Sequence, residues 1–203
     1  MKLFNTLKTE LKAAMGSQLT KNYELEKEPY MQAGLHGLWS VYRGKRRGRE
    51  GDASIFMLEK KLWDKKKSEC DLNSISPTMK EDSLSVLKKD PANLVKLRHP
   101  SILNLLEQPG EDEKFLVFIT EPVEYSLACL SEAYKGKDHL RDKVPSALEI
   151  KCMILELLEA LNFMHQNAKC VHAGLSPENL YVTKAGKLKI AGLNFCSPMG
   201  TEE

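Results

Sequence analysis

Long apolar runs are missing from this chain of 203 residues. The longest wholly apolar stretch, residues 115–119, is far too short to cross a bilayer, and residues 1–16 lack the apolar region and small-residue cleavage site of a secretory signal. The expectation is a protein that stays on the cytosolic side. Excess charge is also missing. The 30 Lys and Arg stand against 28 Asp and Glu, and a net charge of +2 gives no ground for a nucleic-acid partner. The five cysteines, Cys70, Cys129, Cys152, Cys170 and Cys196, are odd in number and form no C-x-x-C pair. They read as reduced thiols, mostly core filler, and not as a disulfide framework or metal site. There is no internal repeat, no Gly-x-x-x-x-Gly-Lys phosphate loop, no His-Glu-x-x-His and no Cys/His cluster at ligand spacing. These absences remove solenoids, P-loop enzymes, zincins and structural zinc from consideration.

What the chain does carry is concentrated at residues 170–196, CVHAGLSPENLYVTKAGKLKIAGLNFC. A protein kinase places His-Arg-Asp-Leu-x-x-x-x-Asn on one loop and Asp-Phe-Gly after a short hairpin. One Asp receives the hydroxyl proton, and the Asn and second Asp hold magnesium. This chain has His172-Ala173-Gly174-Leu175-Ser176-Pro177-Glu178-Asn179, then Gly192-Leu193-Asn194. The interval holds strand-like residues 180–183, a turn at Lys184-Ala185-Gly186 and strand-like residues 187–191. The frame is kept while the reactive groups are absent.

Upstream, Gly34-Leu35-His36-Gly37-Leu38-Trp39-Ser40-Val41 stands where Gly-x-Gly-x-x-Gly-x-Val would let backbone amides close over phosphates. The three glycine places hold Gly34, His36 and Trp39, with Gly37 one residue out of register. The indole either fills the phosphate space or serves as core. The strand at residues 53–58 corresponds to Val-Ala-Ile-Lys, and Phe56 takes the place of the Lys that neutralises phosphates. Asp90, nine residues before His99 of Leu97-Arg98-His99-Pro100, takes the place of its Glu partner. Thr120-Glu121-Pro122-Val123 occupies the hinge that offers backbone hydrogen bonds to adenine. Pro122 has no amide hydrogen, so the Val123 amide is the donor expected to remain for adenine.

Together these landmarks resemble the kinase-like domain of the SCY-like pseudokinases, most closely their coated-vesicle-associated, clathrin-linked branch. The motifs that carry the likeness are Val171-His172-x-Gly174-x-Ser176-Pro177-Glu178-Asn179, Lys189-Ile190-x-Gly192 and Asn194-Phe195-Cys196. Leu97–Pro100 and Thr120-Glu121-Pro122-Val123-x-x-Ser126-Leu127-Ala128 extend it, so that it covers roughly residues 24–198. It implies an α+β, bilobal fold: an extension at 1–22, a complete small β-lobe at 23–121, and the start of a helical large lobe at 122–203. It implies no catalysis, since the four chemical positions are Phe56, Asp90, Gly174 and Gly192. A vestigial nucleotide pocket is left at Gly34, Gly37, Thr120, Glu121, Val123 and Asn179. No metal is expected, because Asn179 alone lacks carboxylate help. No cofactor is expected either, with ATP held without magnesium as the exception to be tested. The alternative is a divergent, weakly active Ser/Thr kinase that binds ATP through a relocated cation, Arg43 being the candidate. The family likeness further implies coat-linked vesicle traffic between Golgi, endosomes and plasma membrane, coat or trafficking proteins as partners, and a cytoplasmic, peripheral location on those membranes.

The remaining expectations are structural. Residues 1–16 form an amphipathic pattern, and residues 43–67 carry ten Lys and Arg against four acids, net +6. Both suit a solvated or packed surface or an anionic membrane. Asp90-Pro91 is expected to divide the helix into pieces at 83–89 and 91–97, with Asp90 as a cap. Residues 102–106 and 115–120 read as strands. Ser146-Ala147-Leu148-Glu149 is a capping box, opening a helix with an apolar stripe at Ile150, Met153, Ile154, Leu157, Leu158, Leu161 and Met164. A complete kinase fold continues past the activation segment, so either the chain is a fragment or short product, or part of that stripe is left uncovered.

Overall fold

In the computed structural model, residues 22–34, 37–48, 51–63, 83–133 and 143–200 are described. The small lobe is built on an antiparallel sheet of six strands: β1 (Tyr23–Leu25), β2 (Met31–Ala33), β3 (Trp39–Arg46), β4 (Asp52–Glu59), β5 (Gly110–Glu111) and β6 (Phe115–Thr120). The order is β1-β3-β4-β6-β5, with β2 also paired to β3. Both faces of β4 and β6 are apolar and buried, as a strand covered on two sides requires. One face joins Val41, Phe56, Leu58, Leu116 and Phe118 to the core shared with the large lobe. The other gathers Tyr23, Tyr42, Ile55, Met57, Val117 and Ile119.

The first departure from the sequence reading is the helix. Residues 83–96 form one helix, α1 (Ser83–Lys96), with Pro91 inside it. Proline removes an amide donor and crowds the preceding turn, so local chemistry argues for a break. Tertiary contacts on either side of Pro91 override it. Leu87 and Leu94 are buried in the core, the Asp90 carboxylate accepts from the Leu193 amide at 2.8 Å, and Asn93 Nδ2 donates to the Leu193 carbonyl at 2.8 Å. Asp90 is therefore no cap. It is a clamp on the far side of the cleft.

The second departure is residues 102–106, which form no regular strand. The Leu103 amide donates to the Ile190 carbonyl, the Ile190 amide to the Ser101 carbonyl, and the Leu106 amide to the Ile119 carbonyl. Ile102 bridges to Ile190 and Leu105 to Thr120. The segment divides its backbone groups between the two lobes, so neither sheet extends through it.

In the large lobe, β7 (Tyr125–Ser126), β9 (Leu180–Val182) and β10 (Leu188–Ile190) form a three-stranded sheet, and β8 (Cys170–Val171) pairs with β11 (Ser197–Pro198). Helix α2 (Leu127–Ala133) follows β7 directly. Helix α3 (Ala147–Gln166) starts at the expected capping box: Ser146 Oγ accepts from the Glu149 amide, and Glu149 Oε2 accepts from the Ser146 amide at 2.7 Å. Met153 and Met164 are core, as read. Ile150, Ile154 and Leu158 of the same stripe are exposed, together with Leu148 and Leu155. Among the described residues no helix is long and apolar enough to cross a membrane.

Candidate functional site

Of the sequence-derived candidates, His36, residues 1–16 and residues 49, 50 and 64–67 of the basic stretch lie outside the described residues. Phe56 emerges from β4 with 1% of its surface exposed and stacks on Phe118, centroids 4.7 Å apart and planes 8° from parallel. Tyr181 meets Phe56 edge-on at 5.5 Å, and Trp39 meets Phe118 edge-on at 4.8 Å. Where a kinase strand presents an ammonium to phosphates, this chain presents one ring of a four-ring cluster. Such rings attract each other by about 0.5–1.5 kcal/mol per pair beyond burial, and none can neutralise a phosphate. Trp39 is core, and it also lies beneath the loop: a Cβ on Gly34 would come within 2.5 Å of its ring. Gly34 has φ +67°, so this position is closed to other residues on two counts. Its amide donates to the Glu178 carbonyl at 3.3 Å, drawing the loop onto the large lobe.

The metal positions are equally occupied. Gly192, at the place of the metal-binding Asp, has φ +73°, and a Cβ there would lie 2.1 Å from Asn179 Cγ. The Asn179 amide therefore sits in the space that an Asp side chain would need. It is engaged, with Nδ2 donating to the Gly174 carbonyl at 3.1 Å. Gly174, at the catalytic Asp position, faces Phe195, whose Cδ2 would be 2.8 Å from an added Cβ. The magnesium that phosphoryl transfer requires does not fit this donor set: one engaged amide and no carboxylate. Among the described residues no group of three or more His, Cys, Asp or Glu could hold a metal.

The frame around these substitutions is well satisfied. His172 Nε2 donates to the Ala191 carbonyl at 3.0 Å, Nδ1 accepts from the Gly174 amide at 3.3 Å, and burial pushes the imidazole pKa down, so the ring is neutral. The Ala191 amide donates to the Asn179 carbonyl at 2.9 Å. Asp90 accepts from the Leu193 amide, and burial raises its pKa from 3.8 to about 6 despite that bond and one from Gly192.

At the hinge, the amide expected to serve adenine is in use. The Val123 N–H donates to Ser54 Oγ at 3.0 Å, and the Val123 carbonyl accepts from the Tyr30 hydroxyl at 2.8 Å. Thr120 Oγ1 donates to the Glu121 carbonyl at 2.9 Å. Arg43, the relocation candidate, does not face the cleft's phosphate end. Its guanidinium pairs with Glu124 at 3.2 Å and lies 4.4 Å over the Tyr30 ring. Lys60 is likewise engaged, with Glu111 at 2.7 Å. Three participants escaped the sequence reading. Tyr181 was visible as a bulky ring two residues after Asn179. Tyr30 and Ser54 meet Val123 across 93 and 69 residues and carried no local signal.

Comparison with known proteins agrees with the fold. The protein kinase domain family matches residues 64–203. The chain is 30% identical over 190 residues to SCY1-like protein 2 of Homo sapiens, which covers 91% of this chain and 19% of that protein. It is 28% identical over 192 residues to protein kinase-like protein SCY1 of Saccharomyces cerevisiae, covering 87% of this chain and 23% of that protein. The chain thus spans about a fifth of the length of these relatives. The β-rich small lobe, the opening of a helical lobe and the family match together place the chain in the protein kinase domain family, with SCY1-like proteins among its relatives.

Proposed function

We propose that this chain is a catalytically silent kinase-like domain that acts by binding other proteins. The observation that carries the reading is the Asn179 amide lying in the space of the missing Gly192 side chain, 2.1 Å from where Cβ would stand. It supports a site whose neighbours leave no room for an Asp side chain at position 192. Phe56 in its aromatic stack supports the reading from the phosphate side. Kinase catalysis is almost wholly positioning and charge neutralisation, and here the positions of the cation, the metal-binding carboxylate and the proton acceptor hold Phe56, Gly192 and Gly174. Arg43, engaged by Glu124, gives the alternative of a divergent kinase no relocated cation. By family resemblance, the proposed setting is coat-linked vesicle traffic, with coat or trafficking proteins as partners on the cytoplasmic face of Golgi and endosomal membranes.

The test is phosphoryl transfer from labelled ATP to a generic protein acceptor, together with melting in ATP and magnesium. We expect background transfer and no metal-dependent rise in Tm. A ligand present at a hundred times its Kd would stabilise by about 2.7 kcal/mol, a rise of several degrees. Transfer above background, abolished by chelator, overturns the reading.

A further inference from the structure

Helix α3 buries Met153, Ala160 and Met164 against the large lobe and turns a second face to solvent. On that face Leu148, Cys152, Leu155 and Leu158 are all exposed. Leu148, Cys152 and Leu155 follow one another at four and three residues, the spacing that lines side chains along one helix seam, and Leu158 continues it over about 15 Å in all. Ile154 lies beside Leu158 on one flank and leads into a groove of about 230 Å³ between α2 and α3, walled by Leu130, Pro145, Ile150 and Leu157.

The charges on this helix are arranged in order. Glu149 is occupied by the Ser146 amide, and Glu156 by the Leu188 amide at 2.7 Å and Lys187 at 2.9 Å. Lys187, which also senses Glu159, is thereby held by Glu156. That leaves Lys151 and Glu159, both exposed, at the borders of the seam. They stand four residues before and four residues after Leu155, so the sign of the charge reverses across it. A second copy laid antiparallel, with Leu155 at the centre, sets Lys151 level with the partner's Glu159 at both ends. Leu158 then falls level with the partner's Cys152, and apolar side chains meet between the two charged levels. A parallel copy would set each charge level with its own kind, which repels. A pattern that complements itself on reversal is what an isologous two-fold contact requires.

We propose that the open face of α3 is a self-association surface, and that its occupant is a second copy of this chain, docked antiparallel about Leu155. The seam is short beside the roughly 1,200–2,000 Å² buried in stable complexes, so the dimer is weak and reversible, with a Kd on the order of tens of micromolar. In dilute solution the face is open. The inference goes beyond the silent cleft and stands on different residues.

The experiment is sedimentation equilibrium of the full chain at low salt, across about two decades of concentration around that Kd. Wild type should follow a reversible monomer–dimer equilibrium. Leu155→Lys, at a position the fold leaves exposed, should weaken the dimer at least about tenfold by placing two like charges at its centre. Lys151→Glu and Glu159→Lys should each weaken it about tenfold, since both ends of the seam then carry like charges. Combining Lys151→Glu with Glu159→Lys restores the pattern in reverse and should return the Kd to within about threefold of wild type. A chain that stays monomeric throughout overturns the proposal, as does growth beyond a dimer. A dimer indifferent to both single charge changes, or a double variant no tighter than the singles, overturns the antiparallel register. None of these results bears on phosphoryl transfer, so this surface and the silent cleft stand or fall separately.

Discussion

The small-lobe sheet and helix α3 are both apolar on more than one side, yet only the sheet is closed. Phe56 and Phe118 on one face, and Ile55, Val117 and Ile119 on the other, are each at most 1% exposed. Helix α3 buries Met153, Ala160 and Met164 but leaves Leu148 72%, Leu155 59% and Leu158 55% exposed. Burial, not apolar composition, decides what a side chain contributes, at about 25 cal/mol per Å² removed from water. The same Leu that anchors a fold in the sheet is thus nearly idle on this helix and ready for a covering surface.

Matched truncations give the sharpest break in that comparison. Phe118→Ala removes a ring that touches both Trp39 and Phe56 and should lower unfolding stability by about 3–5 kcal/mol in denaturant titration. Leu155→Ala should change it by less than about 0.5 kcal/mol. Equal losses would show that α3 is covered in solution.

A smaller effect probes the junction between the lobes. The Asp90 pKa, about 6 in the fold against 3.8 when free, is raised, so the folded state holds a proton that the unfolded chain releases between those values. Stability from this group is therefore greatest below pH 3.8 and lost as pH rises to about 6, leaving a buried charge at neutral pH. Asp90→Asn keeps an acceptor for the Leu193 amide. It should flatten that part of the pH–stability profile and raise stability at pH 7 by up to about 3 kcal/mol. A profile identical to wild type would show that Asp90 is ionised without penalty.

The smallest change in stability should accompany the clearest change in surface behaviour. Replacing Leu148, Ile154, Leu155 and Leu158 by Gln should leave stability within about 1 kcal/mol of wild type while abolishing binding of a hydrophobic dye. Persistent dye binding would place the open apolar surface elsewhere.

Much of this was legible because it is written locally. The capping box at Ser146 and the 180–190 hairpin follow from short-range spacing, and the structure keeps both in place. What was illegible depends on partners remote in the chain. Pro91 reads as a break until Leu193, about a hundred residues away, is seen bonded to Asp90 and Asn93 on either side of it. Residues 102–106 read as a strand until their bonds are found divided between Ile119 and Ile190. The Val123 amide reads as free because nothing in its own neighbourhood announces Ser54.

Gly192 carries a consequence for reversibility. An aspartate returned to that position alone would have to adopt the left-handed backbone at φ +73° and collide with Asn179, and moving Asn179 aside would strip the Gly174 carbonyl of its donor. An aspartate returned to position 174 would in turn meet Phe195. Either replacement made singly therefore meets an occupied volume, so the two glycines and their neighbours Asn179 and Phe195 can be exchanged only together.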